Sequence, residues 1–482
     1  MGEQIVTLYH VPVAPIAPER IMSVLGAVQA EEFRHTIDRG RALLDSRVIW
    51  NVNSTARGGG VAEMLASLIA YTRGAGLDAR WAVMDGDADF FRVTKRIHNM
   101  LHGSPGDGLG LGPRDASIFC ETADRNAREL VPLVRPGDIV LLHDPQTAGL
   151  IEPVRAAGAH VIWRCHVGVD DPNGAAHAAW EFLRPHVQSA DAVVFSRDAY
   201  VWAGLDHAHV RVIPPSIDPF SAKNQDLDAE TVFSILRVAG LELGDPPGQP
   251  VFRRRDGTLG RVDRSAELSG SPPLPPGVPV VAQVSRWDRL KDPLGILEAF
   301  REGIAQRTDA HLALAGPSTE AVADDPEGVE VLSEIVRARA GCAPEVRDRI
   351  HLFSLPMDDV GENAVMVNAL QRRADVVVQK SLAEGFGLTV AEAMWKARPV
   401  AASRVGGIQE QIVDGETGLL VDPLDLDDFS DAVIRLVDEP ASARQLGLRA
   451  REQVRTQFLG PRHLCHYVDL FEELVTASVP SP

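Results

Sequence analysis

The chain has 482 residues, enough for two or three domains, and its 45% hydrophobic and 24% charged content is that of an ordinary globular protein. A net charge of -19 argues against general nucleic-acid binding, which needs a basic face, and leaves room only for a local basic pocket. No run of about 18 apolar residues is present, so membrane insertion is not expected.

Met1 to Glu19 lacks the basic start and apolar stretch of a secretory signal, and a cytoplasmic location is expected. The cysteines, Cys120, Cys165, Cys342 and Cys465, are scattered without a CxxC spacing, which fits a reducing compartment. His98 and His102 lack an acidic or Cys partner nearby, so no metal site is expected.

In chain order, short apolar runs alternate with longer helical patterns. The first set of strand candidates is 48–53, 79–85, 138–144, 160–166, 192–196 and 210–214. The second is 279–285, 310–316, 349–355, 375–380, 399–403 and 418–422. Runs this short, rich in Val, Ile, Leu and Ala and without strict alternation, suit strands buried on both faces. Helical patterns such as 61–73 and 293–307 lie between them, the rhythm of βαβ units. The stretch 225–278 is rich in Pro and Gly and reads as an irregular excursion, with one helix over 228–239. Helical patterns over 424–458 and 460–475 close the chain. Two open α/β domains facing each other leave a cleft, and ligands of such sheets sit beyond the carboxyl ends of the strands.

The chemistry is sought at those ends. The first strand runs into Asn51-Val52-Asn53-Ser54-Thr55-Ala56-Arg57-Gly58-Gly59-Gly60, and a helix follows. Glycines at a helix start let backbone N–H groups approach an anion. Trp163-Arg164-Cys165-His166 places a histidine at a strand end. Arg286 and Lys291 leave the first strand of the second set and enter a helix at Pro293. Together with that helix start they could neutralise a diphosphate leaving group.

The segment Lys380-Ser381-Leu382-Ala383-Glu384-Gly385-Phe386-Gly387-Leu388-Thr389-Val390-Ala391-Glu392 is the most informative. On one helix its two glutamates would stand about 12 Å apart along the axis and about 80° apart around it. That spacing suits two grips on a long ligand. The glycines place Glu384 in a loop, with the helix starting near Leu388 and Glu392 on its first turn. The N–H groups of Phe386, Gly387, Leu388 and Thr389 would then meet phosphate oxygens.

Glu384, Gly385-Phe386-Gly387 and Glu392 resemble the signature of retaining GT-B glycosyltransferases of the family-4 type, which includes sucrose and trehalose synthases. Arg286 and Lys291 match that family's Arg-x4-Lys pair, and Val405-Gly406-Gly407-Ile408 and Asp414-Gly415-Glu416-Thr417-Gly418 match two further stretches. In the first half, Asn53-Ser54-Thr55, Gly58-Gly59-Gly60-Val61-Ala62-Glu63, Arg164-Cys165-His166, Pro214-Pro215-Ser216-Ile217-Asp218-Pro219 and Lys223-Asn224 resemble the trehalose glycosyltransferring synthases. One departure is Gly168, where family members carry Asp two residues after the histidine. Asp170 and Asp171 follow it.

The resemblance implies an α/β GT-B fold of two Rossmann-like doubly wound domains facing a central cleft. Its expected parts are 1–224 as acceptor domain, 225–278 between the domains, 279–455 as nucleotide-sugar domain, and 456–482 as a helix packing back on the first. It further implies transfer of glucose from a nucleotide diphosphate (UDP, ADP or GDP) to glucose, giving α,α-trehalose with retention and no added cofactor. Arg286 and Lys291 would bind the diphosphate, and Glu392 the ribose. Glu384 would bind the sugar, helped by the backbone of Gly385, Phe386, Gly387, Leu388 and Thr389. Gly59 and Gly60 would close on the phosphates, and His166 would stand by the reacting sugar. Related enzymes suggest a homodimer. Trehalose phosphorylase, a transferase with another acceptor such as a sugar phosphate or glycerate, and a nucleotide-sugar epimerase are the alternatives.

Overall fold

A computed structural model describes residues 8–56, 59–319 and 326–477. Gly58 of the glycine run, and the first seven residues of the leader reading, lie outside them. The chain divides into two compact units, Met1–Ser216 with Phe458–Pro482, and Ile217–Gln457.

The first unit is built on seven strands: β1 (Leu8–His10), β2 (Val48–Asn53), β3 (Asp78–Met84), β4 (Ile139–His143), β5 (His160–Arg164), β6 (Ala192–Phe195) and β7 (Val210–Val212). Their order is β1-β3-β2-β4-β5-β6-β7, parallel except for β1, which pairs antiparallel with β3. Every residue of β2, β4 and β6 is buried, which is why none of these strands alternates in sequence. One face packs Val140, Leu142, Val161 and Trp163 against helices, and the other packs Ile49, Leu141 and Ile162 against Leu65, Ile69 and Phe471. Phe471 belongs to the last helix, Gly460–Ala477, which packs against the helix Ala27–Leu43.

The second unit holds β8 (Val251–Arg253), β9 (Leu259–Arg261), β10 (Glu267–Leu268), β11 (Val280–Val284), β12 (His311–Pro317), β13 (Ile350–Leu355), β14 (Val376–Gln379), β15 (Val400–Ser403) and β16 (Leu419–Val421). Its main sheet has the order β10-β13-β12-β11-β14-β15-β16, again parallel except for one antiparallel edge strand, β10. Strand order reverses direction at β11/β14 here and at β2/β4 in the first unit. These are the points at which helices leave for opposite faces and a crevice opens at the strand ends.

The two sheets are Rossmann-like and the fold class is GT-B. All twelve strand candidates are strands, with shifts of one or two residues at their ends. The expected strand 160–166 stops at Arg164, so His166 stands in the loop beyond it. The helical pattern over 424–458 is two helices, Leu426–Asp438 and Pro440–Gln457, because Pro440 has no N–H to continue the first and opens the second. The Pro- and Gly-rich stretch clusters with the second unit and contains the helix Ala229–Val238, the hairpin β8–β9 and the edge strand β10.

Candidate functional site

In the second unit the site residues gather where β11 and β14 end. Gln283, on β11 and 1% exposed, accepts from Lys380 N–H at 3.0 Å and donates to the Lys291 carbonyl at 2.9 Å. One side chain thus fixes the two loops against each other. Asp292 has φ 45°, caps the helix Pro293–Ala299 by accepting from Gly295 N–H at 3.1 Å, and pairs with the buried Lys380 ammonium. Lys380 also donates to the Pro423 carbonyl at 2.8 Å.

On this frame Lys291 Nζ sits 2.5 Å from Glu384 Oε2, and Ser381 Oγ donates to the same oxygen at 3.3 Å. Both partners are largely shielded, with side chains 15% and 12% exposed. Arg286 pairs with a different carboxylate. Its guanidinium donates to Asp288 at 2.9 Å and remains half exposed.

Glu384 occupies a loop and the helix is Leu388–Trp395, as the glycines lead one to expect. Gly387 at φ 80° supplies the left-handed residue that opens the helix, a conformation costly for any side chain. Glu392 lies in the second turn, not the first. Gln411 holds the loop from beneath, donating to the Phe386 carbonyl and to the carbonyls of Gly387 and Gly407, each of these last two at 3.2 Å. A Cβ on Gly407 would stand 2.6 Å from Phe386 Cα, so only glycine lets the two backbones meet there. Thr389 Oγ1 donates to Gln379 at 2.9 Å, tying the first turn to the end of β14.

Glu392 is 3% exposed and lies between two lysines. Lys223 Nζ is 3.8 Å from its carboxylate, and Lys396 Nζ donates to its carbonyl and to Asn224, both at 3.0 Å. Burial pulls the Lys396 ammonium down to about 7, against the pull of Glu392 in the other direction.

The first unit has its own cluster at the β2/β4 switch. Asn51 Oδ1 lies 3.2 Å from His143 Nε2, and His143 Nδ1 lies 3.2 Å from His166 Nε2. Asp144, at φ 66°, accepts from His166 N–H at 2.8 Å. Burial lifts its carboxyl to about 6 despite that hydrogen bond and nearby Arg164. Burial and the Arg164 charge push His143 down to about 3 and His166 well below its ordinary value. Gly59, at φ 81°, caps the helix Gly60–Gly74 without a side chain.

Gly168 has a physical reason here. A Cβ at that position would fall 2.2 Å from Tyr200 Cγ, so the tyrosine ring occupies the space an Asp would need. Asp170, two residues on, pairs with Arg197 at 2.7 Å.

Lys291 and Glu384 are thus brought into contact, Glu392 is held separately, and Arg286 leans on Asp288. Sequence reasoning missed Lys380, Gln411, Lys396, Asn51 and His143 as parts of these clusters. His143-Asp144 at a strand end carries the same signal as His166, and Lys223-Asn224 matches the family resemblance without an assigned role. Among the described residues no three His, Cys, Asp or Glu side chains are grouped as metal ligands, and no helix is long and apolar enough to cross a membrane.

Residues 51–202 match the family described as the trehalose synthase N-terminal domain, and residues 265–453 match glycosyl transferases group 1. A trehalose synthase of Pyrococcus horikoshii is 34% identical over 456 residues, covering 95% of this chain and 96% of the relative. One of Rubrobacter xylanophilus is 37% identical, covering 90% and 92%. A trehalose phosphorylase of Pleurotus sajor-caju is 26% identical, covering 89% of this chain and 59% of the relative. Among solved structures, a UDP-forming α,α-trehalose-phosphate synthase from Burkholderia vietnamiensis superposes with a TM-score of 0.65 at 16% identity, covering 90% of this chain and 98% of that one.

Proposed function

The chain belongs to the trehalose synthase family of glycosyltransferases, and on that premise we propose that it moves glucose from a nucleoside diphosphate to glucose, forming α,α-trehalose with retention. That it is a hexosyltransferase, acting in trehalose-related glycosyl transfer on a sugar donor and a sugar acceptor, follows from the family itself. The observation that carries the finer reading is the Lys291–Glu384 pair set beside a glycine-capped helix start at the strand switch of the second sheet.

In this reading the Lys291 ammonium and the Arg286 guanidinium take the donor diphosphate, aided by the N–H groups of Leu388 and Thr389. Glu384 takes sugar hydroxyls, and Glu392, beside Lys223, takes the ribose. Gly59 and Gly60 lend a helix start to the phosphates, and His166 serves the sugar side. The bond from C1 to the diphosphate oxygen breaks and a bond from C1 to the acceptor oxygen forms on the same face. The acceptor's hydroxyl proton passes to the departing diphosphate. The protein's share is placement and charge stabilisation.

A second reading, phosphorolysis of trehalose, is supported by the phosphorylase relative. The test is a matrix of UDP-, ADP- and GDP-glucose against glucose and glucose phosphate, reading nucleotide release and the product anomer by NMR. Trehalose formed with stoichiometric nucleotide supports the proposal. Trehalose turnover that requires inorganic phosphate and releases no nucleotide overturns it.

A further inference from the structure

We propose that Asn51 and His143 are positioning residues that hold His166 as the tautomer protonated on Nε2, leaving its Nδ1 as a hydrogen-bond acceptor for a substrate hydroxyl. This rests on the sugar-side role given to His166 above.

The Asn51 amide oxygen carries only lone pairs, so the ring nitrogen facing it at 3.2 Å, His143 Nε2, must carry the hydrogen. A neutral His143 then has a bare Nδ1. That atom faces His166 Nε2 at 3.2 Å, so His166 must donate from Nε2. What remains on His166 is Nδ1 with its lone pair.

Four features keep this chain of protons from being scrambled by a second proton. Arg164, fully buried beside both rings, disfavours any further positive charge. The inner side of His143 borders an apolar cavity lined by Ile49, Leu65, Ile69, Leu141, Tyr467 and Phe471, with no carboxylate in its wall. Asp144, next to His143 in the chain, spends Oδ1 on the His166 backbone. His463, which also borders the cavity, accepts or donates only at Nδ1, to Ser216 at 2.9 Å. The rings of His143 and His166 lie nearly parallel, at 14° with centroids 5.5 Å apart, so the contact fixes the plane of His166 as well as its proton.

The function of such a chain is directional. A non-reacting sugar hydroxyl meeting His166 is told to donate, and its own oxygen keeps its lone pairs for other donors of the site. With the amide of Asn51 turned the other way, every proton in the chain reverses and His166 becomes a donor instead.

The experiment uses the full chain with 15N-labelled histidine. Long-range 15N–1H spectra distinguish the two tautomers directly, with a His166→Asn variant identifying the signal. The expected result is Nε2–H for both His143 and His166. An Nδ1–H signal for His166 overturns the proposal. His143→Leu and Asn51→Leu are expected to lower kcat roughly ten- to a hundred-fold while donor KM changes little. A His143→Leu protein that keeps both kcat and an unmixed Nε2–H signal on His166 overturns the positioning role. Unchanged turnover in His166→Asn would sink the sugar-side role of His166 instead, which the spectra of the unaltered protein do not depend on.

Discussion

Lys291 Nζ and Glu384 Oε2 stand 2.5 Å apart, so the cation proposed for the diphosphate and the carboxylate proposed for the sugar form one ion pair. Two ends of a donor that meet at C1 would meet at this pair. Lys291→Ala is expected to cut turnover by roughly 10²–10³, the scale of one electrostatic contact to a leaving group, and Arg286→Ala by a similar factor. The two should part in stability. Lys291→Ala removes a shielded ammonium and is expected to lower Tm more than Arg286→Ala, whose guanidinium is half exposed. Steady-state kinetics and a thermal melt check both, and near-normal turnover in the two variants would sink the assignment.

Lys396 gives a signed pH dependence. Its ammonium is pulled down to about 7 in the folded protein, while the unfolded chain titrates near the ordinary lysine value. Between those values the unfolded state binds the additional proton, so stability rises with pH over that range and is lost as pH falls toward 7. The slope from this one group approaches about 1.4 kcal/mol per pH unit. Urea unfolding from pH 7 to 9 should show it, and Lys396→Met should flatten it. Parallel curves for the two proteins would exclude the effect.

Acid should destabilise the first unit. His143, His166 and His463 are all held neutral by burial and Arg164, so below about pH 6.5 the unfolded chain takes up protons that the folded one refuses. Asp144 works the other way below about 6, because it is already protonated in the fold there while still ionised in the unfolded chain. Three groups against one leave stability falling as pH drops from about 7 to about 5. Unfolding midpoints across that range are the measurement, and a midpoint that rises on acidification contradicts it.

Gly168 and Tyr200 should couple. Gly168→Asp forces a Cβ into the tyrosine ring and is expected to cost about 1–3 kcal/mol, read as a lower unfolding midpoint. Adding Tyr200→Ala frees the space, so the double variant should lose less than the sum of the single losses. Strict additivity would mean that the ring is not what excludes a side chain at 168.

Much of this protein was set by local sequence. Twelve parallel strands announced themselves as short unalternating apolar runs, because a strand buried on both faces needs apolar residues at every position. The loop that carries Glu384 and the helix start after Gly387 were equally local, since left-handed backbone calls for glycine wherever it occurs. The edge strands β1 and β10 were not legible, being three and two residues long and defined only by the neighbour they pair with. The contacts of the site were likewise decided by tertiary structure alone. Lys291 and Glu384, Lys380 and Asp292, and Asn51, His143 and His166 are each brought together by strand order, which places neighbours in space that are far apart in the chain. Sequence set which groups stand at strand ends. Only the folded sheets decided which of those ends are adjacent, and therefore which charges pair and which way the protons point.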